Sequence, residues 1–220
     1  MRICVSIVLF SIASIASADT DQIIRYEVDL AVRANTVSPQ TSQELAALTV
    51  GTTATFTFDA IEDATVFPPD SSTVQVYPVL DVSFQSGSIN VGAQPGVYPS
   101  TVFIQGAFVL DNANYVFGGL QDTVLVTPFL DHPDFGVTSL SLAQILDDGS
   151  NPTLIDGFDI PLSLDTSLLN TDDVFIINST NGPSEQVRYE FVDLRIVQIP
   201  APDTLAVLAL GCLLARRRRR

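Results

Sequence analysis

The chain has 220 residues, no lysine, two cysteines and one histidine, with a formal charge of −15. Residues 19–199 hold 24 acidic residues against four arginines, a net of −20, which leaves nucleic acid or an anionic membrane nothing to grip. The cysteines are Cys4 and Cys212, so the body has no thiol for a redox centre, a nucleophile, a thiolate zinc site or an internal disulfide.

Residues 1–18 read as a secretory signal peptide. Arg2 supplies the positive start, Ile3 to Ile15 form an apolar run broken only by small residues, and Ala16-Ser17-Ala18 is an A-x-A cleavage site before Asp19. Cys4 lies upstream of that site, which argues against a lipid anchor. An uncleaved membrane helix is the alternative, and the apolar run falls short of the roughly 20 residues that a span needs.

Residues 19–199 form one acidic domain in which apolar and polar residues alternate between turn signals, the period of half-buried strands. Tyr26, Val28, Leu30 and Val32 face one way and Arg25, Glu27, Asp29 and Arg33 the other. Ser42 to Leu48 is the one segment suited to a helical turn or two. Ala54, Phe56, Phe58 and Ala60 repeat the alternation, followed by Leu80, Val82 and Phe84, and then Ile89 to Val91 after the turn Ser86-Gly87-Ser88. Further strands are expected in Thr101 to Leu110, Asp122 to Thr127, Val137 to Leu142, Val174 to Ile177 and Val187 to Val197. These strands, with no βαβ alternation, predict an all-β fold: a single antiparallel β-sandwich of jelly-roll type.

An internal echo links the two ends of this domain. Arg25-Tyr26-Glu27-Val28-Asp29-Leu30 and Arg188-Tyr189-Glu190-Phe191-Val192-Asp193-Leu194 match apart from one extra residue. The apolar phase shifts between Phe191 and Val192, as a β-bulge requires. The strands that contain these segments, which together hold all four body arginines (Arg25, Arg33, Arg188 and Arg195), are expected to be neighbours joined by arginine–carboxylate pairs.

Candidates for chemistry are few. His132, in Leu130-Asp131-His132-Pro133-Asp134, could be a general base oriented by Asp131 or Asp134. No G-x-S-x-G elbow accompanies it, and acidic neighbours favour imidazolium, so a solvated loop histidine is the expectation. Calcium needs only oxygen ligands. The acidic loops offering them are Asp111 to Asn114, Asp131 with Asp134, Asp156 with Asp159, Asn170 to Asp173, and above all Asp147, Asp148 and Asn151. None matches the EF-hand pattern, and turn formation explains such clusters equally well. Without tryptophan, an aromatic sugar platform could rest only on Tyr77, Tyr98 or Tyr115. Asn178-Ser179-Thr180 is a formal glycosylation sequon whose place suggests the approach to an Asn181-Gly182 hairpin.

The last segment has three ordered parts. Pro200-Ala201-Pro202-Asp203-Thr204 is a stiff hinge. Leu205 to Ala215, with Leu205, Leu208, Leu210, Leu213 and Leu214, is uncharged and apolar. Arg216, Arg217, Arg218, Arg219 and Arg220 follow. Eleven helical residues rise only about 16 Å, half of a hydrocarbon core of about 30 Å, and the arginines favour the cytoplasmic side. Residues 200–220 resemble the PEP-CTERM sorting signal, with Pro-Ala-Pro in place of Pro-Glu-Pro. The resemblance implies recognition by an exosortase-type transpeptidase, removal of the tail, and delivery to the cell surface or the extracellular polysaccharide matrix. The strand cadence of Val50 to Asp59, Asp81 to Phe84 and Leu140 to Leu169 is similar to that of exported domains that precede this signal.

The expected function is therefore non-catalytic: an exported protein, handled by signal peptidase and an exosortase, with a structural or adhesive role. A calcium-dependent glycan-binding module is the alternative, and a secreted hydrolase is a third reading. Apart from calcium, no cofactor is implied.

Overall fold

The computed structural model describes residues 22–62, 74–93, 106–114, 120–146 and 153–199. The chain divides into two units, residues 23–199 and the terminal stretches 1–22 with 200–220; every described strand belongs to the first. In chain order these are β1 (Ile23–Asn35), β2 (Thr53–Ile61), β3 (Val74–Ser86), β4 (Ile89–Gly92), β5 (Gly106–Asn114), β6 (Leu120–Val126), β7 (Phe135–Leu146), β8 (Phe175–Ser179) and β9 (Gly182–Ile199), with one short helix, α1 (Gln43–Ala46), between β1 and β2.

The expected jelly-roll sandwich is not what forms. The sheet runs β2-β1-β9-β8-β7-β6-β5-β3, and β3 pairs back onto β2, closing an eight-stranded antiparallel barrel with β4 as an extra strand on β3. The all-β class stands. Alternation says only that each strand buries one face, which is equally true of a sandwich and a barrel. The deciding feature lies in β3, whose Val79–Ser86 half pairs with β2 and whose Val74–Pro78 half pairs with β5. At the hand-over, Asp59 faces Asp81 and Ala60 faces Val79, so Leu80 is the extra residue of a bulge. A bulge bends its strand, and here the bend carries β3 from one neighbour to the next. It also turns Leu80 outward, 46 % exposed, out of the phase expected from Val82 and Phe84.

The echo behaves as its sequence implies. β1 and β9 are antiparallel neighbours, and their register jumps between Asp29↔Asp193 and Leu30↔Phe191, leaving Val192 as the bulged residue. The β8–β9 hairpin turns at Thr180-Asn181, with Gly182 at φ +87°, the left-handed region that glycine enters without penalty.

The barrel interior is filled. Tyr26, Phe56, Phe58, Phe84, Phe175 and Tyr189 all have 0 % exposure. Phe175 lies 5.0 Å from Phe56 and 5.1 Å from Phe84, ring centre to ring centre, and Tyr26 stacks on Phe58 at 4.6 Å. Eight strands enclose about enough room for side chains alone, and these rings occupy it.

Each end of the barrel is closed differently. At the Asn35 end, residues 36–52 fold over the opening around α1 and bury Val37, Leu45 and Leu48. Ser42 caps the helix, its Oγ accepting the Leu45 N–H at 3.2 Å. Asn35 Nδ2 donates to Leu45 O at 2.7 Å and Leu48 O at 2.8 Å, and its Oδ1 accepts the Val37 N–H. At the Ile23 end, the irregular segment 153–164 covers the opening and buries Leu154, Ile155 and Ile160.

Candidate functional site

Irregular backbone can be buried only if its polar groups find partners, and the segment 153–164 finds them on the barrel wall. Gln144 Oε1 accepts the Leu154 N–H at 2.6 Å, Asp122 Oδ2 accepts the Ile155 N–H at 3.2 Å, and Asp111 Oδ2 accepts the Gly157 N–H at 3.0 Å. From other strands, the Tyr26 and Tyr77 hydroxyls donate to the carbonyls of Pro161 and Phe158. Burial drives the Tyr26 phenol well above its ordinary range, and burial with nearby Asp159 pushes Tyr77 up to about 12. Tyr77 is 2 % exposed, a plug anchor rather than the sugar platform weighed from sequence. Tyr98 and Tyr115 lie outside the described residues.

His132 sits at the opposite end and is not the solvated loop residue expected. Its side chain is only 10 % exposed, its ring tilted by 31° against that of Phe135 with centres 4.3 Å apart. Nδ1 accepts the Asp134 N–H at 3.2 Å, so in the neutral ring Nε2 carries the proton and donates to Glu44 Oε2, 3.0 Å away. Neither Asp131 nor Asp134 supplies the orienting carboxylate; Glu44, from α1, does. Both ring nitrogens are committed to holding the 127–134 loop against the cap, and among the described residues no serine or threonine hydroxyl bonds to the ring. His132 lines an open cavity of about 430 Å³ with Phe129, Leu130, Asp131, Pro133 and Phe135, formed by the loop and the first residues of β7.

The acidic loops are used within the fold. Asp172 and Asp173 meet Arg33 at 3.1 and 3.3 Å, and Arg188 reaches Asp173 at 3.4 Å. Asn170 Oδ1 accepts the Asp172 N–H, the self-bonding that makes such residues turn formers. Asp156 and Asp159 line a cavity of about 270 Å³ on the plug. Among the described residues no group of three or more histidine, cysteine, aspartate or glutamate side chains is placed to hold a metal. The foremost calcium candidates, Asp147, Asp148 and Asn151, lie outside the described residues. So do the cleavage site Ala16 to Asp19 and the whole of 200–220. The sequon residue Asn178 is occupied on both sides, Nδ2 donating to Val137 O and Oδ1 accepting from Gln186.

The outer wall of β2, β1 and β9 carries the arginines. Arg25 grips Asp59 with two hydrogen bonds of 2.7 Å, a fork that raises the guanidinium pKa further. Arg195 Nη2 lies 3.2 Å from Glu27 and 3.7 Å from Asp29 across the β1–β9 ladder. The Arg195 pairs are the ones expected from the echo, whereas Arg25 pairs across β1–β2 and Arg33 and Arg188 turn to Asp172 and Asp173. The plug anchors, in contrast, leave no local signal, because nothing marks Asp122 or Gln144 as partners of a segment that comes later in the chain. Among the described residues no helix is long and apolar enough to cross a membrane. Compared with known proteins, the chain matches no family model, no curated protein and no solved structure.

Proposed function

We propose that this is a non-catalytic exported protein, held briefly in the membrane by its tail and sorted by an exosortase-type transpeptidase to the cell surface or the extracellular polysaccharide matrix, where its role is structural or adhesive. The observation that carries the reading is an ordered one: a signal peptide at residues 1–18, then the Pro200–Thr204 hinge, the apolar Leu205–Ala215 and the arginines 216–220. The barrel supports it from another direction. Its interior is packed with aromatic rings and closed at both ends, an arrangement suited to a durable displayed body rather than to a chamber for substrate. The single histidine is spent on a structural contact.

Intact mass tests the reading on protein recovered from the host's membrane and extracellular fractions. Loss of residues 1–18 together with the arginine-terminated tail is the expected result. A membrane-bound protein that still ends at Arg220 would sink the sorting proposal.

A further inference from the structure

Among the described residues, β9 leaves a stretch of the barrel wall open. β8 is five residues long and pairs with β9 only as far as Tyr189, and the Phe191 N–H is taken by Thr171 O at 3.0 Å. Beyond that, among the described residues, 192–199 pair with β1 alone. An edge of this kind offers a row of backbone donors and acceptors to another strand. This edge carries a bulge at Val192 and the charges of Asp193 and Arg195, devices that limit indiscriminate pairing, yet Val192 and Val197 stand 56 % and 47 % exposed along it.

Charge indicates what fits there. Asp193 lies directly opposite Asp29 in the β1–β9 ladder, a like-charge pair that costs stability. Arg195 relieves Asp29 and Glu27 through Nη2 but leaves Asp193 with no cation at ion-pair distance among the described residues. In the single chain one Asp193 oxygen accepts the Leu194 N–H at 2.9 Å, a local bond that an added strand centred on Leu194 would have to displace. Asp193-Leu194-Arg195 is also self-complementary. An antiparallel copy with its two-fold axis through Leu194 sets Asp193 of each chain opposite Arg195 of the other and Val192 opposite Ile196. Moving the axis to Ile196 sets Arg195 against Val197, and moving it to Val192 sets Asp193 against Phe191; neither register gives an opposite-charge pair.

We propose that the open edge of β9 binds a second copy of this chain, forming an isologous dimer through an antiparallel ladder over residues 192–196 with two reciprocal Asp193–Arg195 pairs. The proposal does not depend on export or sorting.

Sedimentation of the full chain in mild detergent tests it. The unaltered chain dimerises, and moderate salt weakens the dimer. Asp193→Arg opposes two arginines across the axis and weakens association about tenfold or more. Adding Arg195→Asp to that variant restores the opposite pairing and the dimer, which tail-driven association does not predict. A chain that stays monomeric at its highest soluble concentration overturns the proposal, as does a dimer indifferent to Asp193→Arg. If circular dichroism shows that the variant is misfolded, hydrogen exchange on the unaltered chain decides instead. Amides of 192–196 slowed with rising concentration support the dimer, and rates independent of concentration refute it.

Discussion

The two ends of the barrel solve one problem by different means. At the Asn35 end the covering chain turns through a helix, which satisfies part of its own backbone, so one asparagine and a serine cap complete the bonding while leucines fill the opening. At the Ile23 end the covering segment has no repeating structure, and the barrel supplies three acceptors and two phenolic donors from β1, β3, β5, β6 and β7. The cost of an irregular lid is thus moved into the wall as buried polar side chains. The helical cap draws its stability from apolar burial, and the plug from its bonds.

The widest test strains both ends at once. Burial raises Tyr77, at the plug, and Tyr189, beside Ser86 near the cap, to about 12. As pH climbs past 10 the unfolded chain releases these phenolic protons first, while the folded chain keeps them until about pH 12. The stability is therefore complete below pH 10 and lost as pH rises through 12. Tyr189, shifted by about two units, contributes roughly 3 kcal/mol, and Tyr77 adds to it in the same direction. Alkaline titration followed by absorbance at 295 nm and circular dichroism is expected to show a last phase of phenol ionisation that coincides with unfolding; a fold that stays intact until every phenol has ionised would contradict it.

Next in size, Leu45→Ala at the cap removes a fully buried side chain and is expected to lower unfolding free energy in urea by about 3 kcal/mol. Asp122→Ala leaves the Ile155 N–H without its acceptor, at about 2 kcal/mol. Amide exchange should locate this loss in 153–164 while α1 keeps its protection. Equal loosening of both ends would erase the distinction drawn between them. Smallest is Glu44→Gln. Glu44 is 60 % exposed where it meets His132, so the change is expected to lower the unfolding free energy in urea by no more than about 0.5 kcal/mol.

What could be read from sequence was local. The alternation of Tyr26 to Val32 and Ala54 to Ala60 marks buried faces, Ser42 marks a helix start, and the spare residue between Phe191 and Asp193 marks a bulge. Each follows from a period or a turn within a few residues. Barrel closure depends on β2 meeting β3 while β9 returns to β1, a fact of register between distant strands. Leu80 reads as one more inward residue because a bulge opposite Asp59 and Ala60 leaves no signature in its own strand. His132 invites pairing with Asp131 or Asp134, its neighbours in sequence, yet its carboxylate comes from Glu44, 88 positions away. The plug is least legible of all, since its anchors are ordinary polar residues within strands.

Ile23 and Ile199 face each other as the outermost pair of the β1–β9 ladder, so the chain enters and leaves the barrel side by side. Force applied across those two residues would load that ladder one rung at a time, as a zipper is drawn, and peel it apart at low tension. Force applied between Ile23 and any strand on the far wall would shear many rungs together. The mechanical strength of this barrel is thus set by where it is held.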